Sequence, residues 1–263
     1  MDLRGAKVLV TGATGGIGQA LAGALAARGG EVVLTGRRTD ILEPLAEKLG
    51  GQALPADLAD RDSIEELLAE AGEIDVLVAN AALPANGLLA DYSISEIDRA
   101  LDVNLRAPIV MAKLTGQRMA ARRRGHLVFI SSLSGKTASA QSSLYNATKF
   151  GMRGFALALR EDMRPHNVGV STLFPGYISE AGMFADSGAT LPRGVGTRSP
   201  KDVARATIRA IENNVAEVDV APLNLRLIAL LGGAAPSLTA AIQRRIGADK
   251  TTEQLVRGQR HKR

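Results

Sequence analysis

The sequence contains no cysteine among its 263 residues, which excludes disulfide bonds and thiolate chemistry. Only three histidines are present (His126, His166 and His261), so a histidine-rich metal site is not expected. No apolar stretch approaches the roughly 20 residues that cross a bilayer, and the N-terminus lacks a signal-peptide pattern. Aromatic residues are not interleaved with the basic ones, and nucleic acid is not an expected partner. A metal-free protein of the cytoplasm is therefore predicted.

Length and composition suit one large α/β domain with a sizeable core, because 46% of the residues are apolar. The net charge of +5 arises largely from residues 122–124 and 257–263. Two interpretations of these basic clusters stay open. They form a solvated surface and a frayed tail, or they attract an anionic cofactor or an anionic surface.

The first strand and turn carry the pattern of a dinucleotide site. Residues 6–11 predict a buried strand, and the apolar spacing over residues 20–27 predicts a helix. Glycines in the turn between them let the backbone approach a pyrophosphate, and the helix N-terminus offers N–H groups to the phosphates. We therefore predict cofactor contacts at Gly12, Thr14, Gly15, Gly16, Ile17 and Gly18.

The second predicted strand, residues 31–35, ends at Gly36, Arg37 and Arg38. NAD enzymes often place an acidic residue here to bind the ribose diol, whereas an arginine can pair with a 2′-phosphate. NADP(H) is therefore the favoured cofactor, with NAD(H) as the alternative. Arg37 is the preferred phosphate ligand, while a plain surface position stays open for Arg38.

Strands and helices alternate along most of the chain. Further strands are predicted at residues 52–55, 74–79, 127–130, 168–174 and 217–221, and a long helix at residues 94–119 contains Asn104. This alternation predicts a Rossmann-type, doubly wound sheet of seven parallel strands flanked by helices. Ligands of such sheets bind beyond the carboxyl ends of the strands, where Asp57, Asn80 and Ser132 all fall.

Polar side chains gather where the strand at residues 127–130 ends. The strand runs into Ser131 and Ser132, and a helical pattern begins near Ser143. On that helix Tyr145 and Lys149 stand four residues apart, so both project from one face. Serine, tyrosine and lysine in this arrangement form a candidate set for acid catalysis.

These motifs, in this order and spacing, resemble the short-chain dehydrogenase/reductase family over about residues 5–221. The matching positions are Thr11-Gly12-x-x-x-Gly16-x-Gly18, Asp57, Asn80-Ala81-Ala82, Val103-Asn104, Ile130-Ser131-Ser132, Tyr145-x-x-x-Lys149 and Pro175-Gly176. Ala82 is a departure, because the family usually has glycine there.

The glycine turn also fits the TGxxGxxG pattern of the extended branch of this superfamily, which includes sugar epimerases. The short chain, the Asn80-Ala81-Ala82 motif and a serine thirteen residues before the tyrosine favour the ordinary reductase branch. The same spacing selects Ser132 over Ser131 as the catalytic serine.

The resemblance implies reversible hydride transfer between a nicotinamide and a carbonyl or secondary alcohol. Tyr145 would be the acid or base, with a pKa lowered by Lys149. Ser132 would bind the substrate oxygen, and Asn104 would hold a water that links Lys149 to solvent. Further cofactor contacts are expected at Asp57, Leu58, Asn80, Ala81, Tyr145, Lys149, Pro175, Gly176, Ile178 and Ser179, with Glu180 as an alternative to Ser179.

We divide the chain into a Rossmann-fold domain over residues 1–222 and a helical C-terminal extension with a basic tail over residues 223–263. Residues 177–198 are rich in small residues and predict a substrate lid, in which Met183 and Phe184 line an apolar pocket or anchor the lid. For residues 223–246 three alternatives stay open, in this order: closing the pocket, burial against a partner subunit, or peripheral contact with a membrane. Residues 248–263 are expected to be weakly ordered.

The predicted function is that of an NADP(H)-preferring carbonyl reductase or alcohol dehydrogenase. Its substrate is expected to be apolar or amphiphilic: a ketone, a steroid-like compound or a 3-oxoacyl chain. The alternatives are an extended-type sugar nucleotide enzyme and a catalytically silent dinucleotide-binding sensor or scaffold. The family resemblance also implies a homodimer or homotetramer formed through the helix that carries Tyr145.

Overall fold

The computed structural model describes residues 1–192, 194–245 and 248–259, with only the backbone at residues 242, 243 and 248–250. Its strands are β1 (Lys7–Thr11), β2 (Glu31–Thr35), β3 (Gln52–Ala53), β4 (Val76–Ala79), β5 (Gly125–Ile130), β6 (Val168–Pro175) and β7 (Glu217–Val220). They form one parallel sheet in the order β3-β2-β1-β4-β5-β6-β7. From β1 the strands are added towards one edge of the sheet up to β3, and from β4 they are added towards the other edge. This change of order between β1 and β4 confirms the predicted doubly wound fold.

Helices cover both faces of the sheet. They are α1 (Gly16–Ala27), α2 (Thr39–Leu49), α3 (Arg61–Ala71), α4 (Ile94–Leu101), α5 (Ala107–Arg122), α6 (Ser143–Met163), α7 (Met183–Ser187), α8 (Pro200–Asn213), α9 (Leu223–Ala234), α10 (Pro236–Arg245) and α11 (Ala248–Gln259). Helices α1, α2 and α8 pack on one face, and α3, α5 and α6 pack on the other.

Alternate residues of each central strand supply two separate cores. In β1 the side chains of Val8 and Val10 join the core under α1 and α8, whereas Leu9 joins the core under α3 and α5. This follows from the two-residue side-chain period of a strand. Because both faces are covered, most buried residues of the central strands are apolar, as in other parallel sheets.

The long helix predicted over residues 94–119 is interrupted. Between α4 and α5 the chain forms a π-helical turn at Asp102–Arg106, in which the N–H of Ala107 bonds to the carbonyl of Asp102. Pro108 stands four residues after Asn104 and has no N–H for the carbonyl of Asn104, so regular α-helical bonding fails at this point. The turn places Asn104 in the interior.

The C-terminal extension is helical, but one prediction about it is wrong. Residues 248–259, expected to be weakly ordered, form helix α11, which packs against the lid helix α7. Its Thr251 hydroxyl donates to the carbonyl of Thr190 over 2.9 Å. Residues 260–263, which include His261, lie outside the described residues. Within the described part of the chain, no helix is both long and apolar enough to span a membrane.

Candidate active site

The turn between β1 and α1 and the first turn of α1 have room only for glycine at several positions, of which Gly12 and Gly18 lie closest to neighbouring backbone. Gly12 adopts a positive φ of 63°, and a Cβ there would lie 2.8 Å from the Cα of Ala81. A Cβ at Gly18 would lie 2.8 Å from the Cα of Ala13. Helix α1 begins at Gly16 directly above this turn, and the first N–H groups of a helix have no partner within it. The turn is therefore built to bring backbone N–H groups against an anionic group.

Thr11 and Asn80 fix this turn to the end of β4. The hydroxyl of Thr11 accepts the backbone N–H groups of Asn80 and Ala81, each over 2.9 Å. The side-chain amide of Asn80 donates to the carbonyl of Thr11 over 2.9 Å and to that of Gly12 over 3.3 Å. Asn80 thus lies on the cavity wall as predicted, but its amide holds the backbone of the turn. Thr11 was not predicted as a site residue, although it opens the glycine motif.

Arg37 and Arg38 both reach the cavity, in different surroundings. The Arg38 guanidinium donates to the carbonyl of Thr14 in the glycine turn over 2.6 Å. Arg37 is exposed and lies close enough to Asp57 for its charge to help lower the pKa of that carboxyl. The structure therefore places Arg38 against the turn and Arg37 at the open edge of the cavity.

Asp57 is held by partners that the sequence did not indicate. Its carboxylate accepts the N–H of Ala59 over 3.1 Å and the guanidinium of Arg99 over 2.9 Å. Burial alone raises the pKa of Asp57, but these two hydrogen bonds and the arginine charges outweigh it and hold the pKa below its usual value. Arg99 lies 42 residues away in sequence, so no local pattern could have paired it with Asp57.

Ser132, Tyr145 and Lys149 meet at the end of β5, as predicted. All three line one cavity of about 890 Å³, and the same cavity is lined by the glycine turn. Tyr145 and Lys149 are buried on α6, with the Lys149 ammonium 5.5 Å from the centre of the Tyr145 ring. The ammonium also donates to the carbonyl of Ile130 over 3.2 Å. Strand β5 and helix α6 thus position the whole set.

Burial is the largest influence on the pKa values of Tyr145 and Lys149. It raises the pKa of Tyr145 to about 12, against the opposing effect of a hydrogen bond with Ser132. It lowers the pKa of Lys149 to about 8, because a buried ammonium loses its hydration. The expected lowering of the Tyr145 pKa by Lys149 is therefore not found among the protein's own groups. At neutral pH the phenol is protonated and can act as an acid.

Asn104 is buried in the π-helical turn, and its side chain is hydrogen-bonded to the loop after β4. Its side-chain oxygen accepts the N–H of Leu83 over 2.6 Å, and its side-chain nitrogen donates to the Leu83 carbonyl over 2.9 Å. Leu83 itself lines the cavity. The side chain of Asn104 therefore shapes the cavity wall through Leu83.

The segment after β6 follows the prediction at most positions. Pro175, Gly176 and Ile178 line the cavity. The hydroxyl of Ser179, however, donates to the carbonyl of Arg198 over 3.3 Å, and its backbone N–H bonds to the same oxygen. Residues 181 and 182 rather than Ser179 form the next part of the cavity wall, because Ile178 and Arg198 pair as a short β-bridge that turns Ser179 aside.

The end of the cavity beyond Tyr145 is enclosed by residues of the predicted lid and by the C-terminal extension. Met183 and Phe184 line it as predicted, and the Phe184 ring packs 5.0 Å from the ring centre of Tyr177. Another part of the wall comes from residues that the sequence did not single out, on helices α9 and α11: Leu225, Ile228, Thr251, Thr252, Leu255 and Gln259.

A family model described as short chain dehydrogenase matches residues 6–191, most of the Rossmann-fold domain. The chain belongs to the short-chain dehydrogenase/reductase family. It is therefore an oxidoreductase that acts on small molecules, and the resemblance stated from its motifs is confirmed.

Relatives within the family share most of the chain. The ketoacyl reductase HetN of Nostoc sp. is 36% identical over 227 residues, which cover 83% of this chain and 79% of the relative. A short-chain dehydrogenase from Sphingobium yanoikuyae in complex with NADPH is 26% identical, with a TM-score of 0.76 over 87% of this chain and 93% of that one. The 3-ketoacyl-(acyl-carrier-protein) reductase from Brucella melitensis, in complex with NADH, is 25% identical, with a TM-score of 0.73 over 83% and 97%. Short-chain dehydrogenases of this fold thus bind either nicotinamide cofactor.

Proposed function

We propose that this short-chain dehydrogenase is an NADP(H)-preferring enzyme that interconverts a carbonyl and a secondary alcohol on an apolar or amphiphilic substrate. One observation carries the proposal: Tyr145, with Ser132 and Lys149 beside it, lines the same cavity as the glycine turn. A proton donor and a dinucleotide cradle in one cavity are the two parts that carbonyl reduction needs.

The residues present fit a dinucleotide. The N-cap of α1 is Gly15, so no side chain caps the first N–H groups of the helix, and Gly15, Gly16 and Ile17 line the cavity. The turn would hold the pyrophosphate, and the bound nicotinamide would supply or accept the hydride. Arg37, exposed at the cavity edge, would pair with a 2′-phosphate, which favours NADP(H).

Side chains of the protein itself would supply the proton that the carbonyl oxygen receives during reduction. Tyr145 donates to the carbonyl oxygen during reduction, while the Ser132 hydroxyl holds that oxygen in place. The Lys149 ammonium lies beside the phenol, 5.5 Å from the centre of its ring. Because Pro108 has no N–H to offer it, the backbone carbonyl of Asn104 is the group we assign to hold a water on the path from Lys149 to solvent.

The cavity wall beyond Tyr145 favours an apolar substrate. Its apolar side chains come from the loop after β5, the lid and the two C-terminal helices: Leu133, Met183, Phe184, Val195, Leu225, Ile228 and Leu255. Since relatives named as ketoacyl reductases share the fold, a 3-oxoacyl chain is the first substrate to test.

Initial rates with NADPH and NADH on ketones, steroids and 3-oxoacyl thioesters of increasing chain length test this function. We expect a higher kcat/KM with NADPH and a rise with chain length. Binding of NADPH with no turnover on any oxo compound would favour a dinucleotide-binding sensor or scaffold. Turnover on nucleotide sugars alone would favour the extended-type enzyme.

The exposed side of α6 supports a homodimer. Phe150 and Leu157 are exposed on the helix that carries Tyr145, and a second copy of α6 would cover them. Sedimentation of the wild type and of a Leu157→Glu variant tests this arrangement. A dimer that the substitution dissociates is expected, and a monomeric wild type would contradict it.

A further inference from the structure

Helix α9 presents apolar side chains on two opposite sides. On its inner side Leu225 and Ile228 line the cavity, and Ala229 is fully packed. On its outer side a group of leucines is between 43% and 72% exposed. We name this group, together with one leucine of α10, the leucine surface: Leu223, Leu227, Leu230, Leu231 and Leu238.

The leucine surface stands out within the described part of the chain. It contains five of the ten large apolar side chains that are exposed there. Residues 223, 227, 230 and 231 follow helical spacing, so they form one continuous stripe. Contiguous exposed apolar surface of this kind marks an interaction site rather than ordinary scatter.

The charge of the chain is concentrated in the same extension. Residues 223–263 contain eight of the 32 lysines and arginines but only two of the 27 acidic residues. The remaining 222 residues therefore hold 24 basic and 25 acidic residues, and the net positive charge resides wholly in the extension. Between residues 223 and 246 the charged residues are Arg226, Arg244 and Arg245, with no acidic residue among them.

We propose that the leucine surface docks this enzyme onto an anionic lipid membrane. The leucines would enter the boundary between headgroups and acyl chains, and the basic extension would be drawn to the anionic headgroups. Binding of this kind lies in the interface and needs no membrane-spanning helix. The inner side of α9 closes the pocket, which is the alternative that we ranked first from the sequence, and its outer side fits the membrane contact that we ranked third.

A second copy of the chain fits this surface less well. A twofold interface places the same patch on both sides, so it would bring the arginines of residues 223–246 from both copies into one contact region. The segment contains no carboxylate to neutralise them. An anionic membrane supplies that charge.

Flotation of the full-length chain with vesicles tests the proposal. Phosphatidylcholine vesicles, with or without phosphatidylserine, are centrifuged with the protein, and the floated fraction is measured at low and high salt. We expect flotation with the phosphatidylserine vesicles, weakened by salt because salt screens the attraction.

Leu230→Glu and Ile94→Glu form a matched pair of variants. Leu230 is 72% exposed in the leucine surface, and Ile94 is 74% exposed at the start of α4. Both changes remove one exposed apolar side chain and add one negative charge. We expect Leu230→Glu to lower the partition coefficient by about tenfold, since each buried leucine contributes strongly to insertion, and Ile94→Glu to leave it near the wild-type value.

Three results would overturn the proposal. In the first, the wild type does not float with either kind of vesicle. In the second, the two variants lose flotation equally. Alternatively, sedimentation shows an oligomer that Leu230→Glu dissociates while no vesicle binds the wild type, which would assign the surface to a second copy. Thermal melting of each variant shows that a lost flotation does not come from unfolding.

Discussion

The side-chain amide of Gln259 donates to the backbone carbonyl of Met183 over 2.6 Å. These residues lie 76 positions apart, and their contact joins helix α11 to the lid. Gln254 adds a second link, because its side-chain oxygen accepts the N–H of Thr190 over 2.8 Å. The end of the cavity beyond Tyr145 is therefore enclosed by two segments that are hydrogen-bonded to each other.

Gly258→Ala should separate α11 from the lid. A Cβ at Gly258 would lie 2.7 Å from the Cα of Ser187 and closer still to its carbonyl oxygen. We expect the substrate KM to rise by about tenfold, equal to about 1.4 kcal/mol, with an unchanged KM for NADPH. The control is Gly233→Ala in α9, where a Cβ meets nothing within 4 Å. Equal kinetics for the two variants would show that α11 does not shape the substrate site.

Arg37→Ala should change the cofactor preference. Loss of a charge-assisted hydrogen bond to a phosphate costs about 1.5 to 3 kcal/mol, so kcat/KM with NADPH should fall by about 10- to 100-fold while NADH is little affected. Arg38→Ala is the comparison, because Arg38 bonds the glycine turn at Thr14 and should affect both cofactors alike. Steady-state kinetics with each cofactor decide between them. If kcat/KM with NADPH falls selectively in the Arg38 variant alone, Arg38 rather than Arg37 is the ligand of the 2′-phosphate.

Asn104→Ala should cost both stability and activity. The substitution leaves the N–H and the carbonyl of Leu83 without their side-chain partners, at a cost of about 2 to 4 kcal/mol. Urea unfolding measures the loss, and kcat is expected to fall because Leu83 lines the cavity. Asn213→Ala removes one exposed bond to the Arg209 carbonyl and should change neither quantity noticeably. Similar losses of stability and of kcat in the two variants would contradict a specific role for the hydrogen bonds between Asn104 and Leu83.

His126 should make the free energy of unfolding depend on pH. Burial lowers its pKa from 6.5 to about 3, while its Nε2 lies 2.8 Å from the Ser171 hydroxyl. Between these values the unfolded chain binds a proton that the folded chain does not, so the free energy of unfolding falls as the pH falls below about 6.5.

This contribution should amount to about 1.4 kcal/mol between pH 7.5 and pH 5.5, measured by urea unfolding. A His126→Gln variant lacks the titrating ring and should lose that share of the pH dependence. If wild type and variant depend on pH identically over this range, the buried neutral histidine is not the cause.

The glycine turn, the seven strands and the catalytic set could be predicted because each depends on a local pattern. Tyr145 and Lys149 share a face through helical spacing alone, and Ser132 follows from a strand end. Helix α11 could not be predicted, because its polar sequence shows no strong pattern and its contacts are with the distant lid. The π-helical turn was missed although Asn104 lies within it and Pro108 follows it, because apolar spacing continues across the interruption.

The most direct test of the account is the turnover of Tyr145→Phe. Phenylalanine keeps the ring that packs with Leu144 and removes only the hydroxyl, so the variant should fold and bind NADPH with the wild-type Kd. Tyr92→Phe is the matched control, since Tyr92 is buried in the same cluster and donates to the carbonyl of Asn86. We expect kcat/KM for carbonyl reduction to fall by about 10²- to 10⁴-fold in Tyr145→Phe and to stay near the wild-type value in Tyr92→Phe. Substantial carbonyl reduction by Tyr145→Phe would contradict the assignment of Tyr145 as the proton donor.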